Sequence, residues 1–331
     1  MRPVPPLLSF LVTLLMCACA APPTLPSAAT SSLDRELSAL VADPQAPVVA
    51  VAALTVRNGR VAYSGAFGHR HLGDPSAGQP PLPLTDRTLV RVASISKLVV
   101  TLGVMRLVEQ GRLALDDDVS TQLGWRLRHP QFPERPITLR LLLSHRSGLS
   151  DNGESYAFDA GTRLQDVLGR PGPHWQPDHE PGARFQYVNL NFGVVAAVME
   201  RATGERFDRL MQRLVLQPLG VRGGFEAADF PPADQADIAT QYRKRRTVDG
   251  REVWNPQGPW VVQVDDFRQR PPQPTAGLQG YVPGTNGTLF GPQGRLRISL
   301  HDLGVVMQML LDQGRHQGQA FLQPATVALM A

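Results

Sequence analysis

A serine and a lysine three positions apart, Ser94 and Lys97, are the residues of this 331-residue chain whose spacing best suits chemistry. Residues with this separation share one face of a helix, whereas the intervening Ser96 points elsewhere. A serine hydroxyl is a poor nucleophile until a base removes its proton. A lysine can be that base if burial or nearby positive charge lowers its pKa. The pair therefore predicts a nucleophilic Ser94 with Lys97 as its base.

The choice of lysine at position 97 is informative because the chain otherwise uses arginine. Lys97 and Lys244 are its only lysines. An arginine keeps its proton in proteins and could not act as the base. The alternative is a helix-capping serine beside a lysine that reaches solvent, and one short motif does not exclude it.

The elements around this pair predict how it is positioned. Residues 98–108 are apolar at almost every position and end at Glu109-Gln110-Gly111, which indicates a core helix with a C-terminal glycine. Upstream, residues 48–56 and 61–67 are strand-like and flank the Asn58-Gly59 turn of a hairpin. A further helix is expected from Ser31, with Asp34 completing a capping box.

The rest of the chain divides by composition. Residues 112–220 are predicted to be mostly helical, with helices over 137–149, 192–199 and 207–215, and residues 221–279 to be irregular. Residues 280–331 return to a mixed α/β character. The sequence thus predicts an α+β fold from 31 to 331, in which an antiparallel sheet flanked by helices (31–111 and about 280–331) carries an inserted helical part.

The first residues resemble a targeting segment. Arg2 precedes an apolar stretch over 7–16 that is too short to span a bilayer, and Cys19 follows the small Ala18. This resembles a bacterial lipoprotein box, with residues 1–18 as signal peptide, Cys19 as the lipid attachment site and 19–30 as a flexible tether. We expect a periplasm-facing lipoprotein of the cell envelope, anchored in the outer membrane. Ordinary signal cleavage near Ala20 or Ala21 is the alternative.

Composition limits the ligands and partners. The formal net charge of +4 gives no indication of nucleic-acid binding, and the basic run over 243–246 is most simply a solvated loop. The histidines are scattered without ligand spacing, so no metal is predicted, and nothing indicates a cofactor.

Four blocks of the sequence, taken in order, resemble the serine β-lactamase and penicillin-binding-protein family, in its class C β-lactamase and esterase branch. Each is weak alone, but their common order is specific. They are Arg91-Val92-Ala93-Ser94-Ile95-Ser96-Lys97, Leu141-Leu142-Leu143-Ser144-His145-Arg146-Ser147-Gly148-Leu149, Tyr187-Val188-Asn189 and Gln323-Pro324-Ala325-Thr326.

The resemblance implies roles and a substrate class. Ser94 is acylated, Lys97 takes its proton, Tyr187 relays a proton to the leaving group and activates the deacylating water, and Asn189 bonds Lys97 and the substrate. His145 is interpreted as structural. Substrates of the family include small esters, D-amino-acid peptides and β-lactams, and we favour the first two.

The sequence departs from the family at the third motif, K-T-G or H-x-G, which follows the last matched block. His71-Leu72-Gly73 and His316-Gln317-Gly318 are interpreted as chance matches. A C-terminally truncated chain that lacks the last sheet strands is the expectation. Two hypotheses stay open: a serine hydrolase that forms an acyl-enzyme, and a catalytically inactive relative that acts as a binding lipoprotein.

Overall fold

The computed structural model describes residues 27–43, 45, 48–153 and 155–331. The predicted signal peptide, Cys19 and most of the predicted tether therefore lie outside the described residues. The helices are α1 (Ser27–Ala42), α2 (Ser96–Glu109), α3 (Val119–Leu123), α4 (Leu139–Leu143), α5 (Leu164–Leu168), α6 (Leu190–Thr203), α7 (Phe207–Met211), α8 (Pro232–Ala236), α9 (Leu300–Leu311) and α10 (Pro324–Met330).

The strands are antiparallel and most of them are short. They are β1 (Ala50–Arg57), β2 (Arg60–His71), β3 (Leu82–Pro83), β4 (Val90–Arg91), β5 (Gly223–Gly224), β6 (Gln241–Arg243), β7 (Arg245–Val248), β8 (Arg251–Trp254), β9 (Val261–Val264), β10 (Arg297–Ile298), β11 (Arg315–His316) and β12 (Gln319–Ala320).

Two three-stranded sheets organise the part of the fold around Ser94. One has the order β1-β2-β3, and its first hairpin turns at Asn58 and Gly59, whose φ angles are 53° and 71°. This Asn-Gly turn matches the twist of a two-residue hairpin, as the sequence predicted. The other sheet has the order β4-β10-β5. Because β4 ends three residues before Ser94, this second sheet fixes where the following turn begins.

Helices α2 and α6 form the centre of the apolar core. Every residue of α6 from Leu190 to Glu200 is buried, as are most residues of α2. Gly103 of α2 lies where a Cβ atom would be 2.8 Å from the Met211 sulfur and 3.0 Å from the Met199 methyl group. The missing side chain lets α2 pack closely against these methionines, so the predicted core helix is confirmed.

The N-terminal predictions need correction. Helix α1 begins at Ser27, so the last residues of the tether predicted over 19–30 are helical. The capping box predicted at Ser31 is also wrong, because Ser31 lies inside the helix. The Asp34 carboxylate instead accepts a hydrogen bond of 2.7 Å from the Tyr63 hydroxyl and joins α1 to β2.

Two further predictions differ from the structure. Residues 221–279 contain the paired strands β6 and β9 and the hairpin of β7 and β8, so this stretch is not wholly irregular. The helix predicted over 137–149 is confined to α4, where Thr138 caps its start by accepting a hydrogen bond from Leu141 N. His145 then adopts a φ of 57°, which ends the helical path before Gly148.

Within the described residues, none of the helices combines the length and apolar character needed to cross a membrane.

Candidate active site

Ser94 lies in a single helical turn between β4 and α2. The turn spans Ala93–Ile95, and Ala93 has a φ of 44°. This left-handed conformation costs a non-glycine residue roughly 1–3 kcal/mol and is typical of functional turns. It bends the chain sharply and leaves Ser94 exposed in the first turn, where backbone N–H groups have no intrahelical partner. Ser96 is fully buried and accepts a hydrogen bond from Leu296 N, so it does point elsewhere.

Lys97 is 7% exposed, and its Nζ has three oxygen neighbours. They are Ser94 Oγ at 3.1 Å, Asn189 Oδ1 at 3.0 Å and the Gln293 carbonyl oxygen at 2.8 Å. An ammonium donates to all three oxygens. A neutral amine can donate to the last two, which only accept, and its lone pair is then free for the Ser94 proton. Lys97 is therefore fully hydrogen-bonded whether it carries that proton or not.

Tyr187 reaches Ser94 from the other side. Its hydroxyl lies 2.7 Å from Ser94 Oγ, and Lys97 Nζ lies 4.8 Å from the centre of its ring. Partial burial by itself raises the pKa of Tyr187. The nearby Lys97 ammonium and the hydrogen bond to Ser94 together outweigh burial and lower that pKa below the ordinary value of a phenol. The hydroxyl is thus well placed to exchange a proton with Ser94.

Asn189 is held by a carboxylate that the sequence analysis did not identify. Asp151 Oδ2 accepts hydrogen bonds from Asn189 N at 2.7 Å and Asn189 Nδ2 at 3.0 Å, while its Oδ1 accepts from Leu190 N at 3.0 Å. Asp151 therefore caps the start of α6 and fixes the amide of Asn189. With Nδ2 engaged in this way, Oδ1 of Asn189 is turned toward Lys97.

His145 supports Tyr187 without contacting the nucleophile. Its ring stacks on that of Tyr187, with centroids 4.5 Å apart and planes inclined by 29°. Its Nδ1 accepts a hydrogen bond of 3.1 Å from Val188 N. Burial lowers the pKa of His145, and the charge of Lys97 lowers it further, so the ring is held neutral. This geometry agrees with the structural role expected from the sequence.

Two residues of the site escaped the sequence analysis for different reasons. Asp151 follows the matched Ser147-Gly148-Leu149 block closely, and a polar residue just beyond a matched motif was the available signal. Gln293 contributes only its backbone carbonyl, a group that every residue has, so no sequence pattern could identify it.

Ser94, Lys97, Tyr187 and Asn189 form the catalytic cluster. Neither His71-Leu72-Gly73 nor His316-Gln317-Gly318 joins this cluster. The ring of His71, at the end of β2, lies 2.7 Å from Thr240 Oγ1. His316 belongs to the small hairpin of β11 and β12, with Gln317 and Gly318 in its turn. In the part of the chain that the structure describes, no group of three or more His, Cys, Asp or Glu residues could hold a metal ion.

An open cleft of about 860 Å³ adjoins the cluster. Asp151 and Gln293, which hold Asn189 and Lys97, form part of its wall, and residues 155–161 and 275–277 form much of the remainder. The cleft therefore extends to the two residues that hold Asn189 and Lys97 in place.

The comparisons with known proteins identify the family. A model of the beta-lactamase family matches residues 33–331, which include all four residues of the cluster. The chain belongs to the beta-lactamase family. This confirms the resemblance based on the four sequence blocks.

An esterase and a penicillin-binding protein are among the sequence relatives of this beta-lactamase family member. Esterase EstB of Burkholderia gladioli is 33% identical over 268 residues, which cover 73% of this chain and 64% of the esterase. Penicillin-binding protein 4* of Bacillus subtilis is 27% identical over 175 residues, covering 51% of this chain and 36% of that protein. The chain thus spans less than two thirds of the length of either relative.

Solved structures confirm the fold. The octameric penicillin-binding protein homologue of Pyrococcus abyssi has a TM-score of 0.63 at 23% identity, over 90% of this chain and 59% of its own. EstCE1, a hydrolase with promiscuous acyltransferase activity, has a TM-score of 0.62 at 25% identity, over 91% of this chain and 76% of its own. The predicted β-lactamase-like α+β fold is correct.

Proposed function

We propose that this chain is a serine hydrolase that forms an acyl-enzyme on Ser94 with Lys97 as the base. The observation that carries the proposal is the position of Ser94 Oγ, 3.1 Å from Lys97 Nζ and 2.7 Å from the Tyr187 hydroxyl. Nucleophile, base and a second proton carrier within hydrogen-bond reach are the features that acyl transfer requires.

Acylation follows from these distances. Ser94 Oγ forms a bond to the carbonyl carbon as its proton passes to Lys97. The backbone N–H of Ser94, at the start of its turn, is placed to donate to the developing oxyanion. The bond to the leaving group then breaks, and the leaving group takes the hydroxyl proton of Tyr187, which becomes a phenolate. Asn189 keeps Lys97 aligned throughout, because its own amide is held by Asp151.

Deacylation uses the same groups in reverse. Tyr187 takes a proton from a water molecule, whose oxygen attacks the acyl carbon. The bond from that carbon to Ser94 Oγ breaks, the carboxylic acid leaves, and Ser94 Oγ recovers the proton that Lys97 held. The lowered pKa of Tyr187 favours the deprotonated phenol that this step needs.

Small esters are the substrate class that we place first. Esterase EstB is an esterase by name, and it is 33% identical to this chain over 268 residues. EstCE1, a hydrolase with promiscuous acyltransferase activity, supports the same choice. D-amino-acid peptides and β-lactams are the other members of the substrate class, since penicillin-binding proteins are also among the relatives.

The test compares hydrolysis of p-nitrophenyl butyrate, a chromogenic cephalosporin and a D-alanyl-D-alanine peptide by the 331-residue chain. We expect ester hydrolysis that falls about 10³-fold or more in Ser94→Ala. Ser64→Ala, at an exposed serine of β2, is the matched control and should retain activity. Equal residual activity in wild type and Ser94→Ala would overturn the proposal. An inactive wild type that is stabilised against heat by these ligands would favour the binding-protein hypothesis.

We further propose that the chain is a lipoprotein of the bacterial cell envelope, anchored through Cys19. The support comes from the sequence, where an apolar segment precedes Ala18 and Cys19. Metabolic labelling with an alkyne-tagged palmitate should mark the wild type and not Cys19→Ala. Labelling of both proteins, or of neither, would contradict the proposal.

A further inference from the structure

Two arginines face the cleft beside Ser94. Arg91, on β4, and Arg295 are both half-buried and both line the cleft. Each guanidinium has one hydrogen bond to the protein, from Arg91 Nε to the Gly294 carbonyl at 3.0 Å and from Arg295 Nη1 to the Leu289 carbonyl at 2.8 Å. A guanidinium carries five N–H donors, so several donors of each side chain stay available.

Neither of these two arginines forms a salt bridge with the residues that the structure describes. No described carboxylate lies within 4.0 Å of either guanidinium. Their neighbour Arg297 differs, because Asp265 pairs with it through two hydrogen bonds of 2.6 and 2.8 Å. Buried and half-buried charges normally have a partner, since desolvation is otherwise costly. The unpaired state of Arg91 and Arg295 is therefore an unusual feature of this cleft.

The electrostatic cost of this arrangement is visible in both side chains. Burial lowers the pKa of Arg91 and of Arg295, and the charge of Arg297 lowers both further, although Asp265, which lies beyond ion-pair distance, partly offsets the decrease in each. An anion placed between them would relieve this repulsion. The two acids that line the cleft do not relieve it. Asp151 accepts hydrogen bonds from the start of α6, and Asp159 is exposed and forms no ion pair with the described residues.

The backbone connects these arginines to the catalytic cluster. Gln293 accepts from Lys97, the adjacent Gly294 accepts from Arg91, and Arg295 follows directly. Arg91 also precedes Ser94 by only three residues and is paired with Arg297 across β4 and β10. One short segment thus holds the base and the two guanidinium groups in a fixed relation.

We propose that the cleft selects substrates whose acyl group ends in a carboxylate, such as half-esters of dicarboxylic acids. Arg295, with Arg91, would receive the distal carboxylate while Ser94 attacks the ester at the other end. A planar guanidinium offers paired N–H donors that match a carboxylate. Phe158 and Leu289, which also line the cleft, supply apolar surface for the methylene chain between the two ends. This inference rests on the proposed acyl-transfer function.

The kinetic test uses two esters of equal acyl length, p-nitrophenyl hydrogen adipate and p-nitrophenyl hexanoate. The quantity measured is the ratio of their kcat/KM values. A charged hydrogen bond to a buried site is worth enough to lower that ratio about 10- to 100-fold in Arg295→Gln. Arg295→Lys, which keeps the charge but not the planar pair of N–H donors, should retain only part of the preference. Arg60→Gln, at an exposed arginine of the first hairpin, is the control and should leave the ratio unchanged.

A binding measurement separates this inference from the proposed function. Two anilides resist hydrolysis: the mono-4-nitroanilide of adipic acid, which keeps one free carboxylate, and the 4-nitroanilide of hexanoic acid. Calorimetry gives the affinity of the protein for each. We expect the adipic compound to bind at least about tenfold more tightly to wild type, and Arg295→Gln to lose this difference. A folded chain that hydrolyses neither ester but keeps the binding preference would overturn the proposed function alone. Ester hydrolysis or anilide binding without a preference for the carboxylate would overturn the inference.

Discussion

The hydroxyl of Tyr187 lies 2.7 Å from Ser94 Oγ, although 93 residues separate them in the chain. Ser94 comes from the turn between β4 and α2, and Tyr187 precedes α6. Helices α2 and α6 pack in the same core, and this packing brings together the segments that carry Ser94 and Tyr187. The contact joins two sequence motifs into one proton-transfer path.

This contact predicts that Tyr187→Phe lowers kcat with little change in KM. Loss of a general acid-base group typically costs about 10²–10⁴ in rate. The lowered pKa of Tyr187 also predicts that kcat/KM rises with pH below the ordinary phenol range, and that this limb is lost or displaced in the variant. Tyr242→Phe, at a tyrosine whose hydroxyl accepts from Leu72 N away from the cluster, is the control. A Tyr187→Phe profile that superimposes on wild type would contradict the assigned role.

Asp151 is predicted to be a positioning residue that acts through Asn189. In Asp151→Asn, one of the oxygens that accept from Asn189 and Leu190 becomes a donor. We expect stability to fall by about 1–2 kcal/mol, because the cap of α6 weakens. We also expect slower acylation of Ser94, measured by the rate of covalent labelling under conditions where both proteins are folded. Asp159→Asn, at an exposed acid of the same loop, is the control for stability. Unchanged labelling in a destabilised Asp151→Asn would reduce Asp151 to a structural role.

The buried carboxyl group of Glu200 is predicted to make the free energy of unfolding depend on pH. This carboxyl group is fully buried on α6 and accepts from the Tyr281 hydroxyl at 2.5 Å, from Gly284 N at 2.7 Å and from Phe207 N at 2.8 Å. Burial raises the pKa of Glu200 to about 7, although these hydrogen bonds oppose the rise. The folded state therefore holds this proton more tightly than the unfolded state does.

The free energy of unfolding falls as the pH rises, because the folded state binds the Glu200 proton more tightly than the unfolded state does. The stability that Glu200 contributes is fully present below the unfolded pKa and is lost as the pH rises through about 7. Relative to Glu200→Gln, we expect the free energy of unfolding of wild type to fall by about 3 kcal/mol between pH 4 and pH 8. Urea unfolding at both pH values measures this difference, and effects of other groups cancel in the comparison. A difference that is constant with pH would contradict the raised pKa.

Gly287 is predicted to be required for close packing of the segment that carries Gln293 against α6. A Cβ atom at this position would lie 2.1 Å from the Gly193 carbonyl oxygen and 2.3 Å from Ala197 N, both in the backbone of α6. Gly287→Ala must displace the loop from α6, and overpacking of this kind costs typically about 1–3 kcal/mol. Gly172→Ala, where no atom lies within 4 Å of the added Cβ, is the matched control. Thermal unfolding of both variants provides the measurement, and equal stability would contradict the close approach.

The sequence indicated which side chains lie together in the candidate site, but not the groups that support them. Ser94 and Lys97 were identifiable because they lie three apart before a strongly apolar helix, and Tyr187 and Asn189 because they match a known motif. Asp151 acts across 38 residues, and Gln293 acts through a backbone atom. Contacts of this kind depend on tertiary packing, which no local pattern encodes.

The fold shows the same division between local and long-range signals. The hairpin at Asn58-Gly59 was predicted from its turn residues, and Asp249-Gly250 between β7 and β8 is an equivalent signal. The second hairpin was missed because its strands are exposed throughout and lack the apolar alternation of a half-buried sheet. The start of α1 was misplaced because Asp34 suggested a cap, whereas the structure uses it to bind Tyr63.

The most direct test of the central claim is intact-mass spectrometry of the 331-residue chain after treatment with a fluorophosphonate, beside Ser94→Ala. An activated serine attacks phosphorus and displaces fluoride, which leaves one stable phosphonyl group on the protein. We predict a single adduct on wild type and none on Ser94→Ala, with both proteins shown to be folded by circular dichroism. A folded wild type without an adduct, or an adduct that persists in Ser94→Ala, would contradict the assignment of Ser94 as the nucleophile.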